Sequence, residues 1–155
     1  MRARATRYLA AGGLALAGVL AMALPASAAL CFIGTTGVSF GSYSVFTTTP
    51  LDSTGSVSIF CIGDASVTVA LDRGGAPSFN PRRMLQGTEA LNYNLYLDAA
   101  RTKIWGDGTG GSQVYVNTDV PNLRTVPVTI FGRIPAQQDV SAGSYSNSIT
   151  ATINF

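Results

Sequence analysis

Apolar residues recur at every second position over most of the chain. Val38 and Phe40 alternate with Ser39 and Gly41, which predicts a first strand. Val57, Ile59 and Cys61 alternate with Ser56, Ser58 and Phe60 in a second. After the turn signal Gly63-Asp64 the pattern resumes at Val67, Val69 and Leu71. Leu91, Tyr93, Leu95 and Leu97 alternate with Asn92, Asn94 and Tyr96, a strand with one buried face. Short strands are expected near Ile104–Trp105 and Gln113–Val116, around a glycine-rich tip. Val126, Val128 and Ile130 form another, which Pro127 places at a sheet edge or on a kink. Ile149, Ala151, Ile153 and Phe155 close the chain with the same period. No helical pattern persists over three turns, and there is no internal repeat, linker or charge block. Seven or so strands separated by turns predict one all-β domain, an immunoglobulin-like β-sandwich.

The first residues follow a different rule. Arg2, Arg4 and Arg7 precede an uncharged stretch from Tyr8 to Leu24, and Pro25-Ala26-Ser27-Ala28 then supplies a helix break and a small-x-small site. This is the pattern of a signal peptide covering residues 1–28, with the domain spanning 29–155. A retained membrane anchor is the competing reading. It is disfavoured by Gly12, Gly13 and Gly18 and by the absence of a basic flank, since a span needs ~20 apolar residues. The expected product is exported, soluble and without a retained membrane span.

Export changes the charge and the cysteines. The formal charge is +2, but three of the ten cationic residues lie in the leader, so the domain carries seven against eight acids, or −1. Such a surface has no electrostatic hold on nucleic acid. Cys31 and Cys61 are the only cysteines. In an oxidising compartment two thiols pair, and a loop of about 31 residues closed this way stabilises by roughly 3–4 kcal/mol. Zinc is the alternative, but two cysteines in a chain with no histidine do not complete a tetrahedral site.

Catalytic chemistry finds little support. Without histidine there is no Ser-His-Asp or Cys-His arrangement. Asp98, Asp107 and Asp119 are the candidates for a glycosidase carboxylate pair, yet Asp107 sits between glycines in a turn and Asp119 precedes Val-Pro in an expected loop, so turn-forming aspartate is the better account. The run from Gly106 to Gly111 lacks the repeat of a calcium site and the Lys-Ser/Thr of a phosphate loop. No enzyme, metal or cofactor is expected. Tyr43, Phe46, Arg82, Arg83 and Trp105 are candidates for exposed contact loops, each set against a plainer reading: Trp105 as core, the arginines as a solvated turn.

Six segments in order carry a resemblance. They are Pro81-Arg82-Arg83-Met84, Leu91-Asn92-Tyr93-Asn94-Leu95-Tyr96, Asp98-Ala99-Ala100-Arg101, Trp105 to Gly111, Gly132-Arg133-Ile134-Pro135-Ala136 and Ala142-Gly143-Ser144-Tyr145. From about Cys31 to Phe155 the chain resembles the spore coat protein U domain family, which includes subunits of archaic chaperone–usher pili. The resemblance implies an incomplete sandwich lacking its last strand. It also implies a groove filled first by a periplasmic chaperone and then, at the outer-membrane usher, by the N-terminal extension of a neighbouring pilus subunit. Val38, Phe40, Tyr145, Ile149, Ala151, Ile153 and Phe155 are then expected to line that groove and dock the chaperone, with the Phe155 carboxylate as an anchor. On the residues alone, closure of the last strand by Val38–Phe40 is an equal alternative.

One departure bears on position in a fibre. Only Ala29 and Leu30 separate the expected cleavage point from Cys31, and two residues at about 3.3 Å each do not span a groove. The expectation is a fimbrial tip subunit, which accepts a strand without donating one and serves adhesion or biofilm formation at the cell surface. The competing function is a self-contained secreted coat or lectin-like protein; an extracellular hydrolase is a remote third.

Overall fold

The computed structural model describes residues 29–155, so the expected signal peptide lies outside the described residues. Eight strands follow one another: β1 (Leu30–Thr36), β2 (Leu51–Ile62), β3 (Ala65–Leu71), β4 (Arg82–Gln86), β5 (Glu89–Tyr96), β6 (Tyr115–Val120), β7 (Thr125–Ile134) and β8 (Ala151–Asn154). Among the described residues there is no helix. One sheet has the order β1-β2-β7-β5-β4 and the other β6-β3-β8, and every pairing is antiparallel. The chain is an all-β sandwich of the immunoglobulin-like kind.

The alternating residues do what their period demands. Val57, Ile59 and Cys61 of β2, Val67, Val69 and Leu71 of β3, and Leu91, Tyr93 and Leu95 of β5 all point between the sheets and are buried there. Val128, Ile130 and Ile134 of β7 meet them. At ~25 cal/mol per Å² of apolar surface removed from water, this layer is the main source of stability. Cys31 and Cys61 stand directly opposite on β1 and β2, with Cα atoms 4.1 Å apart, and form a disulfide. That separation suits a non-hydrogen-bonded antiparallel pair, so the bridge staples two strands already in register.

Several expectations need correction. Val38–Phe40 is not the first strand: the ladder runs from Leu30 to Thr36, and residues 37–40 lie outside any strand. Gln113–Val116 gives way to a later strand, Tyr115–Val120, and Ile104 and Trp105 make single bridges only, to Tyr96 and Gln113. The final strand is four residues, not seven. Arg82-Arg83 is no solvated turn, because it opens β4, which pairs with β5 through the tight turn Gly87-Thr88. Pro127 sits inside the five-stranded sheet, paired with Ser58. However, β5 reaches β7 only at Phe131–Arg133, so at Pro127 the strand has a neighbour on one side alone. The missing N–H is tolerated there.

Candidate functional site

Each sheet has two end strands, β1 and β4 in the larger and β6 and β8 in the smaller, and of these β1 and β8 lie near one another across the sandwich. What lies between them is set by glycines. Gly55 of β2 and Gly132 of β7 occupy inward positions, where a Cβ would lie 2.6 Å from the Thr36 carbonyl and 2.7 Å from Val38 Cγ1 and Phe40 Cζ, respectively. Their bare backbones let residues 36–40 cross the inner face of the sheet at close range. Phe40 then meets Tyr93 edge-on, with ring centroids 6.0 Å apart.

The other side is the long irregular connection from β7 to β8. Its backbone touches β4 through Leu85 and Ser146, whose N–H groups each donate to the other's carbonyl at 2.8 and 3.2 Å. The Asn147 amide donates to the Tyr93 hydroxyl at 3.0 Å. Asp72 accepts from the Thr150 N–H at 3.0 Å, and its own N–H donates to the Thr150 carbonyl.

A trough runs between these two walls. Its broad part, about 850 Å³, lies between residues 38–46 and 140–147 and is floored by Met84, Leu91 and Ile134. Its narrow part, about 180 Å³, lies between Thr35–Phe40 and Asn147–Ala151. There the floor is Val57, Leu71, Tyr93, Leu95 and Ile130. Val38, Phe40, Met84 and Asn147 border both parts, so the space is continuous and rests directly on the hydrophobic core. At the broad end the walls are tied together: the Tyr43 hydroxyl donates to the Pro135 carbonyl at 3.0 Å and accepts from the Gln138 N–H at 2.7 Å.

Of the residues expected to form a groove, the fold gathers Val38, Phe40, Tyr145, Ile149 and Ala151 around this trough. Ile153 does not border it, and is half-buried against the core through its pairing with Val69. Phe155 is not in it either; it lies beyond β8 and is 56 % exposed. Tyr43 and Phe46 border the broad end, Phe46 protruding at 90 % exposure and Tyr43 half-buried by its two hydrogen bonds. Arg83 is exposed on β4.

Arg82 and Trp105 are not contact-loop residues, since both are fully buried. The Trp105 indole N–H donates to the Val69 carbonyl at 2.9 Å. The Arg82 guanidinium donates to the carbonyls of Asp72 and Trp105 and to Asn94 Oδ1, and lies 5.1 Å from the Phe79 ring centre. Burial pulls its pKa below the usual arginine value, but the ring of acceptors keeps the cation supplied with partners.

Sequence reasoning missed the floor residues Met84 and Ile134 and the wall residues Val140 and Asn147. The signal available was Gly55 and Gly132, small residues at inward positions of adjacent strands. Of the aspartates weighed for catalysis, Asp98 and Asp107 serve turns, whereas Asp119, expected in a loop, is exposed within β6. Asp98 accepts from the Thr102 and Lys103 N–H groups and the Thr102 hydroxyl, and Asp107 from the N–H and hydroxyl of Thr109. These bonds hold both carboxyls below the usual range.

The family model of the Spore Coat Protein U domain matches residues 17–152. The chain belongs to that family. The match starts before residue 29, within the part expected to be a leader. Another protein similar to this member is Protein U of Myxococcus xanthus, 31 % identical over 113 residues, which cover 68 % of this chain and 61 % of that protein. Among solved structures, the fold resembles the CsuC–CsuE chaperone–tip adhesion subunit pre-assembly complex from archaic chaperone–usher Csu pili of Acinetobacter baumannii. The TM-score is 0.59 at 22 % identity, covering 83 % of this chain and 40 % of that one. At that identity the likeness shows the fold. The family member described here spans under two thirds of the length of either relative.

Proposed function

We propose that this Spore Coat Protein U domain protein is a subunit of an archaic chaperone–usher fimbria, completed by a β-strand from another polypeptide. The observation that carries the reading is the trough: a space floored by core side chains, whose narrow, apolar part lies between Thr35–Thr36 of β1 and Ala151 of β8. An extended segment seated there meets backbone donors and acceptors at the edges and places alternate side chains on Val57, Leu71, Met84 and Ile130. Left empty, the same feature is an aggregation hazard, which a dedicated periplasmic chaperone would suppress. The likeness in fold to the CsuC–CsuE chaperone–tip adhesion subunit complex supports this reading.

In this reading the chain is exported, its leader is removed after Ala28, and it reaches the cell surface through the outer-membrane usher. Leu30 already pairs with Ile62, so cleavage after Ala28 leaves only Ala29 ahead of β1. That favours a tip subunit, which receives a strand from its neighbour and meets the target surface, in adhesion or biofilm formation. The role is structural and not enzymatic.

Expression of residues 29–155 in a bacterial periplasm, with and without a cognate chaperone, tests the proposal. The expected result is a soluble 1:1 complex with the chaperone and aggregation or loss without it. Soluble, monomeric, heat-stable protein in the absence of any chaperone overturns it and favours a self-contained coat or lectin-like protein.

A further inference from the structure

The trough wall formed by residues 137–146 has almost no ladder of its own. Its one backbone-to-backbone tie to a strand is the bridge between Ser146 and Leu85. A segment so thinly paired belongs to the low-stability end of a fold unless side chains hold it. Here they do, from one acidic residue at the start of β5. Glu89 accepts from the Ser141 N–H at 2.8 Å, the Ser141 hydroxyl at 2.7 Å and the Tyr145 hydroxyl at 2.7 Å. The Tyr145 hydroxyl also lies 3.0 Å from the Ser141 carbonyl, so the loop from 141 to 145 is closed around one carboxylate. Gln138 fixes the loop's start, its amide donating to the Asn92 carbonyl at 2.9 Å and accepting from the Asn92 N–H at 2.8 Å. Between these points the loop passes so close to Gln86 that any Cβ at Gly143 would collide with the Gln86 amide.

We propose that Glu89 is a latch that presents this wall, and the Tyr145 ring in particular, in the shape the incoming strand requires. The inference rests on the strand-acceptor reading and adds to it a positioning residue outside the trough. Glu89 does not border the space, whereas Ser141 and Tyr145 do. Holding Tyr145 by its hydroxyl fixes which way its ring faces, and ordering the wall before binding lowers the entropy lost when a strand seats. Glu89→Gln keeps the size of the side chain but removes the charge that lets it gather three donors; Tyr145→Phe keeps the ring and removes its tether.

The test starts from the soluble chaperone complex of residues 29–155, from which the domain is captured by a fluorescein-labelled peptide of about ten residues, valine and isoleucine alternating with threonine, long enough to line both parts of the trough. Affinity is measured for the wild type, Glu89→Gln, Tyr145→Phe and the double variant. Hydrogen exchange over residues 139–146 and thermal unfolding are followed in parallel. The expected result is that each single change weakens binding about three- to tenfold, the scale of one or two hydrogen bonds. The double variant is expected to be no weaker than the worse single one, exchange in 139–146 to accelerate, and the unfolding midpoint to stay where it is in the wild type. Equal affinity across all four proteins overturns the latch while leaving the strand-acceptor reading in place. An equal loss of affinity and of thermal stability also overturns it, since Glu89 would then serve folding alone. If the wild type takes up no peptide at all, the strand-acceptor reading fails and the latch falls with it.

Discussion

At the residue scale, two side chains show how a polar group becomes part of a core. Arg82 is enclosed, and its planar fork reaches acceptors in three directions: the carbonyls of Asp72 and Trp105, and Asn94 Oδ1. Lysine has the charge but not the fork. Arg82→Lys is expected to lower the unfolding free energy by about 2–4 kcal/mol, read from urea melts, because it strands buried acceptors and a desolvated cation. An unchanged urea midpoint would show that Arg82 is dispensable. Gly132 marks a different constraint, close approach. Gly132→Ala is expected to cost about 1–3 kcal/mol by pushing Phe40 and Val38 off the sheet, visible as a change in the near-ultraviolet signal of the Phe40–Tyr93 pair. Glu89 has a pKa below its ordinary value, because the Ser141 hydroxyl, the Tyr145 hydroxyl and the Ser141 N–H all donate to its carboxylate. A depressed carboxyl contributes above its unfolded pKa and loses that contribution as pH falls through the folded value. Exchange of the 139–146 amides, corrected for intrinsic rate, is therefore expected to rise on acidification through the carboxylate range and to stay flat near neutrality. The same profile in Glu89→Gln would contradict the assignment.

At the element scale, sequence period succeeds wherever one face of a strand is buried and the other is wet. β2, β3 and β5 were legible from Val57–Cys61, Val67–Leu71 and Leu91–Leu95 for that reason. β1 was hidden because its outward residues are apolar too, Leu30 and Phe32 standing half exposed, so no alternation marks it. β4 was hidden by inversion: Arg82 faces inward while Leu85 is 52 % exposed. Val38 and Phe40 pack against the core, but not as the strand their alternation predicts. Their partners are glycines beneath them, a side-to-face contact that no periodicity reveals. For the trough, the apolar set on the last segment was legible, whereas the latch at Glu89 depends on contacts 52 and 56 residues away along the chain. The staple between β1 and β2 also belongs to this scale. Cys61→Ser is expected to lose about 3–4 kcal/mol, since it frees a loop of roughly 31 residues in the unfolded chain. Urea unfolding of the oxidised and reduced wild type measures the same quantity, and coincident melts would remove the bridge from the list of stabilising features.

At the scale of the whole molecule, each sheet ends in two strands, β1 and β4 in one and β6 and β8 in the other, and the trough lies on the side of β1 and β8. β2, β7 and β5 are each paired on both flanks over at least part of their length, and β3 is flanked by β6 and β8. Facing one another across the trough are β8, residues 37–46 and the wall from 137 to 146, all lightly paired and resting on core side chains. A foreign strand in this space would continue the smaller sheet past β8 and bury Val38, Phe40, Ile149 and Ala151 together. The most direct measurement is pulsed hydrogen exchange on residues 29–155 freshly released from the chaperone, before aggregation sets in, against the same domain in complex with its periplasmic chaperone. Slowed exchange confined to residues 35–46 and 138–154, with the interior of β2, β5 and β7 unchanged, is the expected result. Complex formation that leaves both walls as fast as before, and protects some other face, would contradict completion of this domain by a borrowed strand.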